Sequence, residues 1–278
     1  MTGDATDRVR SDWDSQANGW YEQRERLLEA TRPIHEWLVE HLEPRDGQRV
    51  LEVAAGPGDT GFLVAGRLGT GRLVSTDLAP AMVAAARRRG AELGVKNVDY
   101  QVLDAQTMDL DDASFDGVLC RWGFMLMPDP LAAFRECRRV LVPGGRLSFA
   151  VFTGPDENPF AAIPARILAE AGYLPSPDSG WRPGILALAD PARLRTLLEH
   201  AGFESTHLEG INMTWRFADT ADYWTFLVDL TAFGPLVRSL PDAARESVRA
   251  ALGERLAPFT RAGGIELPSR CWGGIAYS

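Results

Sequence analysis

The chain has 278 residues, 45% hydrophobic and 24% charged, a balance that excludes disorder over most of its length and leaves room for one α/β domain with elaborations. Its formal net charge is −9 and its basic residues are scattered over helical faces, as in Arg87-Arg88-Arg89 and Arg138-Arg139, so no nucleic-acid partner is expected. Cys120, Cys137 and Cys271 are odd in number and widely spaced, which predicts reduced thiols and no metal site; with a polar start and no apolar run near the ~20 residues of a bilayer span, no membrane span and a cytoplasmic location are expected.

Residues 1 to about 45 show helical spacing. Trp13, Ala17, Trp20, Tyr21, Leu27 and Leu28 form one apolar stripe, and Ile34, Trp37, Leu38 and Leu42 a second. Thr31-Arg32-Pro33 is the expected start of the second helix, because proline fits a first turn, and Pro44 with Gly47 its end. Packing accounts for the aromatic residues in the first instance; closure over a ligand by Trp20 or Tyr21 is the second reading.

The next stretch, Val50-Leu51-Glu52-Val53-Ala54-Ala55-Gly56-Pro57-Gly58-Asp59-Thr60-Gly61, reads as a buried strand entering a glycine turn that opens a helix. Such a turn lets a ligand approach the backbone. The string G-x-G-x-x-G alone serves many nucleoside-containing ligands, so its context must decide. Gly71 to Asp77 is a second strand ending in a carboxylate, nineteen residues after Gly58, near the separation at which an acidic residue meets the two hydroxyls of a ribose. The simpler reading is that Asp77 caps the helix from Ala79 to about Leu93.

Strand three, Val98 to Leu103, also ends in a carboxylate, Asp104-Ala105, placed to accept from an exocyclic amine of a base. Strand four, Phe115 to Cys120, leads into the apolar segment Arg121-Trp122-Gly123-Phe124-Met125-Leu126-Met127, which reads as a pocket wall or as core. A helix over Pro130 to Val140, a turn at Val142-Pro143-Gly144-Gly145 and strand five, Arg146 to Phe152, complete a series of β-α-β units, which predicts a doubly wound parallel sheet. Residues 153–189 then form an insertion with a helix near Phe160 to Ala171 and the loop Pro175 to Trp181. Asp190-Pro191 starts a helix through His200, strand six runs to about Trp215, residues 218–262 form a second helical insertion containing Trp224, and Leu267 to Tyr277 returns to strand.

Four segments, in order, resemble those of class I S-adenosylmethionine-dependent methyltransferases, in particular the small-molecule group of ubiquinone-biosynthesis C-methyltransferases. Leu51 to Gly58 is similar to the family's first motif, Asp77 to Met82 to its ribose segment, Asp104-Ala105 to its adenine segment, and Arg138 to Gly145 to its loop before strand five. The resemblance implies a Rossmann-like, doubly wound, seven-stranded α/β sheet, mostly parallel with the last strand antiparallel, and helical lid insertions on one domain spanning 1–278. Residues 1–45 would form a lid, 46–152 the cofactor core, and 153–189 with 218–262 the acceptor side.

The same resemblance implies S-adenosyl-L-methionine as cofactor, S-adenosyl-L-homocysteine as its product, and a small, largely apolar acceptor methylated on carbon, oxygen or nitrogen. Gly56 and Gly58 would admit the methionine part, Glu52 would orient its amino group, and Asp77 would hold the ribose. Asp104 and Ala105 would meet adenine, Leu78 and Met82 would sandwich its ring, and Arg121 would contribute through its backbone; Trp20 joins these cofactor-binding candidates from the closure reading of the N-terminal stripe, not from the resemblance. Ala54 stands where the family often has glycine. The element Arg121-Trp122-Gly123-Phe124 replaces an Asn-Pro-Pro-aromatic motif, which counts against methylation of planar amino nitrogens.

Of the four histidines, His35, His41 and His200 lie on expected helices, where packing or solvated roles fit, and His207 on strand six is the candidate base. Two other functions compete. A nicotinamide-dependent oxidoreductase satisfies the glycine pattern, but Glu52 would lie near a pyrophosphate and no Tyr-x-x-x-Lys pair is present. A methyltransferase-like fold that binds without catalysing is the other. Trp181 and Trp224 are expected to handle the acceptor.

Overall fold

In the computed structural model, which describes residues 2–174 and 182–278, two helices precede the sheet: α1 (Thr2–Glu22) and α2 (Arg24–Leu42). The break between them falls at Gln23, upstream of the expected Thr31-Arg32-Pro33, and Pro33 lies inside α2. Pro33 sits on the exposed side, as does Glu29, whose carbonyl loses its intrahelical donor and can turn to water. Thr31, Ile34, His35, Trp37 and Leu38 are buried on the other side. That continuous buried stripe outweighs the local cost of the proline.

The sheet strands are β1 (Arg49–Glu52), β2 (Arg72–Asp77), β3 (Val98–Val102), β4 (Phe115–Arg121), β5 (Leu141–Phe152), β6 (Ser205–Phe217), β7 (Thr260–Arg261) and β8 (Gly264–Tyr277). Their order is β3-β2-β1-β4-β5-β8-β6, with β7 paired to β8. Strands β1 to β5 pair in parallel, and β8 runs antiparallel to both β5 and β6. The seven expected strands are present with the last one antiparallel. The eighth, β7, has two residues, too few to leave a hydrophobic pattern. The expected turn at residues 142–145 is a bulge within β5, where Phe115 pairs Leu141 but Gly117 pairs Arg146.

The helices α3 (Asp59–Ala65), α4 (Pro80–Glu92) and α5 (Pro130–Val140) connect successive parallel strands. The first insertion carries α6 (Pro159–Glu170), and α7 (Pro191–His200) starts on Asp190, whose side chain accepts from Ala192 N at 2.9 Å. The second insertion carries α8 (Thr220–Leu230), α9 (Gly234–Ser239) and α10 (Asp242–Leu256). Among the described residues no helix is long and apolar enough to cross a membrane.

Strands β2 and β3 lie on one side of β1 and β4 on the other, with Leu51 paired to both Val74 and Val118. The strand order therefore reverses between β1 and β4. In an open α/β sheet, connections leave in opposite directions at such a point and open a crevice at the carboxyl ends of the strands.

Candidate active site

The turn after β1 builds the floor of that crevice. Ala54, Gly56 and Gly58 take φ values of 52°, 55° and 86°. Ala54 therefore occupies a left-handed conformation, and its departure from glycine costs about 1–2 kcal/mol, because its Cβ crowds the following carbonyl oxygen. A Cβ on Gly56 would meet nothing within 4 Å, so this backbone faces open space. Gly58 and Gly61 differ. A Cβ on Gly58 would lie 2.8 Å from the Phe62 ring, and one on Gly61 would lie 2.1 Å from Glu52 Oε2, so both serve the packing of α3.

Three carboxylates stand at the strand ends. Asp77 closes β2: its Oδ2 accepts from Gly56 N and its Oδ1 from Ala79 N, both at 2.9 Å. Each oxygen keeps a lone pair for another donor. Burial pushes the Asp77 carboxyl up to about 6, against the lowering effect of those amides, and the nearby Asp14 adds to the rise. Glu52 is buried behind the turn, where Oε1 accepts from Gly61 N at 2.8 Å and Oε2 from Ser75 Oγ at 3.2 Å. Its burial pushes it up to about 8, with Arg121 opposing the shift. Asp104 Oδ1 accepts from the backbone and side-chain amides of Gln106 at 2.9 and 3.0 Å.

Behind Arg121 runs a polar chain that sequence reasoning missed. Thr31 Oγ1 donates to Leu27 O at 2.6 Å and so accepts from His35 Nε2 at 2.8 Å. The other ring nitrogen, Nδ1, then accepts from Thr60 Oγ1 at 2.9 Å, which leaves that oxygen to accept from Arg121 Nε at 3.2 Å. Every member is satisfied with His35 neutral. Burial, with Arg121 adding to it, pulls the His35 imidazole down to about 3. The available signal was Thr31 and His35 as a polar i, i+4 pair on an otherwise apolar helix stripe. The Arg121 guanidinium lies 5.5 Å from the Trp20 ring centroid and 4.7 Å from that of Trp122, so its side chain as well as its backbone belongs to the site.

These groups border a cleft of about 1070 Å³, open mouth included. Trp20, Ala54, Gly56, Asp77, Leu78 and Met82 line it, together with Asp104, Ala105 and Arg121. Helix α1 is anchored beside them: Asp14 Oδ1 accepts from Ala81 N at 2.8 Å, and Tyr21 OH donates to Glu92. Across the cleft is an aromatic wall. Trp122 stacks on Phe152 with centroids 4.6 Å apart, Phe160 follows at 4.9 Å from Phe152, and Trp215 lies 5.4 Å from Phe160 and 4.9 Å from Phe226.

Four sequence candidates fall elsewhere. Glu52 and Gly58 lie behind the turn and do not line the cleft. His207 does not line it either: its side chain is 63% exposed on the edge strand, eight residues before Trp215, or about 26 Å along an extended chain. Trp224 points away from Phe226 on α8, with Arg249 6.0 Å from its ring. Helical geometry explains this, since residues two apart face opposite sides. Trp181 lies outside the described residues.

Among the described lining residues the ionisable side chains are Asp77, Asp104 and Arg121. Burial pushes the Cys120 and Cys271 thiols up to about 12, which removes them as nucleophiles. Among the described residues no group of His, Cys, Asp and Glu could hold a metal. A buried carboxylate with free acceptor capacity, an open glycine backbone and the apolar side chains of Leu78 and Met82 on one cleft fit S-adenosylmethionine.

Comparison with known proteins agrees. Residues 50–145 match the family model described as a methyltransferase domain. The chain is 34% identical over 207 residues to a ubiquinone biosynthesis O-methyltransferase of Xanthomonas axonopodis, covering 72% of this chain and 82% of the relative. It is 31% identical over 193 residues to an aklanonic acid methyltransferase of a Streptomyces, covering 66% and 82% respectively. A solved structure of a putative methyltransferase from Bacillus halodurans shares the fold, with a TM-score of 0.60 at 22% identity over 87% of this chain and 97% of that one. The oxidoreductase and non-catalytic readings give way: the chain belongs to the class I S-adenosylmethionine-dependent methyltransferases and resembles the ubiquinone-biosynthesis enzymes among them.

Proposed function

We propose that this methyltransferase acts on a flat, ring-containing acceptor of quinone or polyketide type. The observation that carries the reading is the continuity of the cleft: one cavity joins Gly56 and Asp77 to the wall formed by Trp122, Phe152, Phe160, Trp215 and Phe226. A planar apolar ring gains both area burial and offset stacking there. The names of the two relatives, one acting in ubiquinone biosynthesis and one on aklanonic acid, support that substrate class.

When bound, the cofactor supplies an electrophilic methyl group on a sulfonium. The chain's part is to hold the two reactants together. Asp77 accepts from the ribose hydroxyls, Asp104 and Ala105 meet the adenine, and Leu78 and Met82 flank it. Gly56 admits the methionine chain, near which Arg121 presents its guanidinium, and Trp20 covers them from α1. Glu52 acts from behind by fixing the amide of Gly61. With no histidine among the described lining residues, orientation is the main source of rate, and proximity of this kind can supply about 7–11 kcal/mol. The test is incubation with labelled S-adenosylmethionine and a panel of hydroxynaphthoquinones, anthraquinones and simple phenols. Labelled product from the fused-ring compounds is expected. Tight S-adenosylhomocysteine binding without methylation of any of them would remove this substrate class.

A further inference from the structure

The cleft is polar on the side of Asp77, Asp104, Gln106 and Arg121 and aromatic on the other. The polar atoms of the aromatic side are few, and nearly all are spent. Trp122 Nε1 donates to Cys271 Sγ at 3.3 Å. Thr231 Oγ1 donates to Leu227 O at 2.7 Å and accepts from Phe233 N at 3.2 Å. Two lining indoles are exceptions, their Nε1 atoms buried with no hydrogen-bond partner among the described residues: Trp20 on the α1 side, next to Arg121, and Trp215 within the aromatic wall. Trp215 is 2% exposed and lines the cleft in contact with the rings of Phe160 and Phe226.

A buried donor without an acceptor is unfavourable, and native structures rarely keep one without a use. Water is a poor solution here, because an ordered molecule needs two or more polar partners and the neighbouring side chains are aromatic. An indole N–H can only donate, so the partner must be an acceptor atom: a carbonyl or phenolic oxygen, never an ammonium group. We propose that Trp215 is a specificity-determining residue, its Nε1–H donating to a ring oxygen of the acceptor while Phe160 and Phe226 hold the ring. This rests on the proposed ring-acceptor reading and adds to it the atom that recognises the oxygen. It also fixes one edge of the ring near β6, at the far side of the cleft from Asp77.

The test uses the full chain saturated with S-adenosylhomocysteine and two probes of one carbon skeleton, 2,3-dimethyl-1,4-naphthoquinone and 2,3-dimethylnaphthalene. The wild type is expected to bind the quinone about tenfold more tightly, and Trp215→Phe to lose that preference. In spectra of the 15N-labelled protein, the Trp215 indole resonance, assigned by its absence in Trp215→Phe, should move downfield with the quinone and far less with the hydrocarbon. Equal wild-type affinities, a preference that survives in Trp215→Phe, or equal shifts with both probes would overturn the proposal. If the variant does not fold, the wild-type affinity ratio still decides. Failure of S-adenosylhomocysteine to bind the wild type would instead count against the cofactor reading, and a wild type that binds the cofactor product but neither probe would overturn both the ring-acceptor reading and this one.

Discussion

Asp77 Oδ2 accepts a hydrogen bond from Gly56 N at 2.9 Å, so the carboxylate that ends β2 is locked to the glycine turn that ends β1. The two features named from sequence as a ribose ligand and a cofactor turn are thus one unit. The alternative that Asp77 serves only the helix after it is half right: its other oxygen does accept from Ala79 N. The carboxylate holds the turn and the helix start together.

Asp77→Ala should raise the Kd for S-adenosylhomocysteine about tenfold to a hundredfold in calorimetry, through loss of the charge-assisted bonds to the hydroxyls. The group charges near pH 6 in the folded state, and only the charged form offers its full acceptor capacity. Wild-type affinity should therefore weaken as pH falls below about 6, and Asp77→Ala should not show that slope. A flat wild-type profile down to pH 5 would argue that Asp77 binds nothing in the cleft.

Gly56→Ala and Gly61→Ala should fail in different ways. The Gly56 Cβ would enter open space, so stability should fall only by about 1–2 kcal/mol for the left-handed backbone, while cofactor affinity falls at least tenfold. The Gly61 Cβ would strike Glu52, and denaturant unfolding should show a loss of about 3 kcal/mol. If both variants lost stability alike and bound cofactor alike, the division of labour within the turn would be wrong.

Glu52→Gln should separate an electrostatic cost from a packing role. A buried acid whose folded pKa is raised from 4.5 to about 8 holds its proton where the unfolded chain has lost it, so stability declines as pH rises from 4.5 through 8. Glutamine keeps an acceptor for Gly61 N and can donate to Ser75 Oγ. The variant's melting temperature should exceed the wild type's increasingly across that window, by on the order of a few kcal/mol in stability above pH 8. Its cofactor affinity should change less than that of Asp77→Ala.

Thr60→Val removes the shared hydroxyl between His35 and Arg121 with little change in shape, and should cost about 1–3 kcal/mol in denaturant titrations. His35 contributes an acid limb of opposite sign to that of Glu52. Its folded pKa, about 3, lies below the unfolded 6.5, so the unfolded state takes up the proton first and stability falls as pH drops from 6.5 toward 3. His35→Gln should flatten that limb; an unchanged limb would show that other groups set acid sensitivity.

The sequence by itself determined the sheet, the glycine turn and the carboxylates at the strand ends, because each rests on local chemistry. Alternating and continuous apolar runs make strands, glycine permits positive φ, and the carboxyl ends of parallel strands form the ligand edge, where Asp77 and Asp104 line the cleft. What it left open depended on contacts between distant segments. Pro33 reads as a helix start until the buried stripe around it is seen, and only the fold shows Glu52 held by Gly61 and Ser75 behind the turn. His35 and Trp215 carry no motif at all. One becomes part of the site because α2 packs against α3, the other because a second insertion brings Phe226 beside the end of β6. The glycine turn and its carboxylates are written in short-range pattern, whereas the aromatic wall is made by tertiary packing, since it draws single side chains from β5, α6, β6, α8 and the bend after β4.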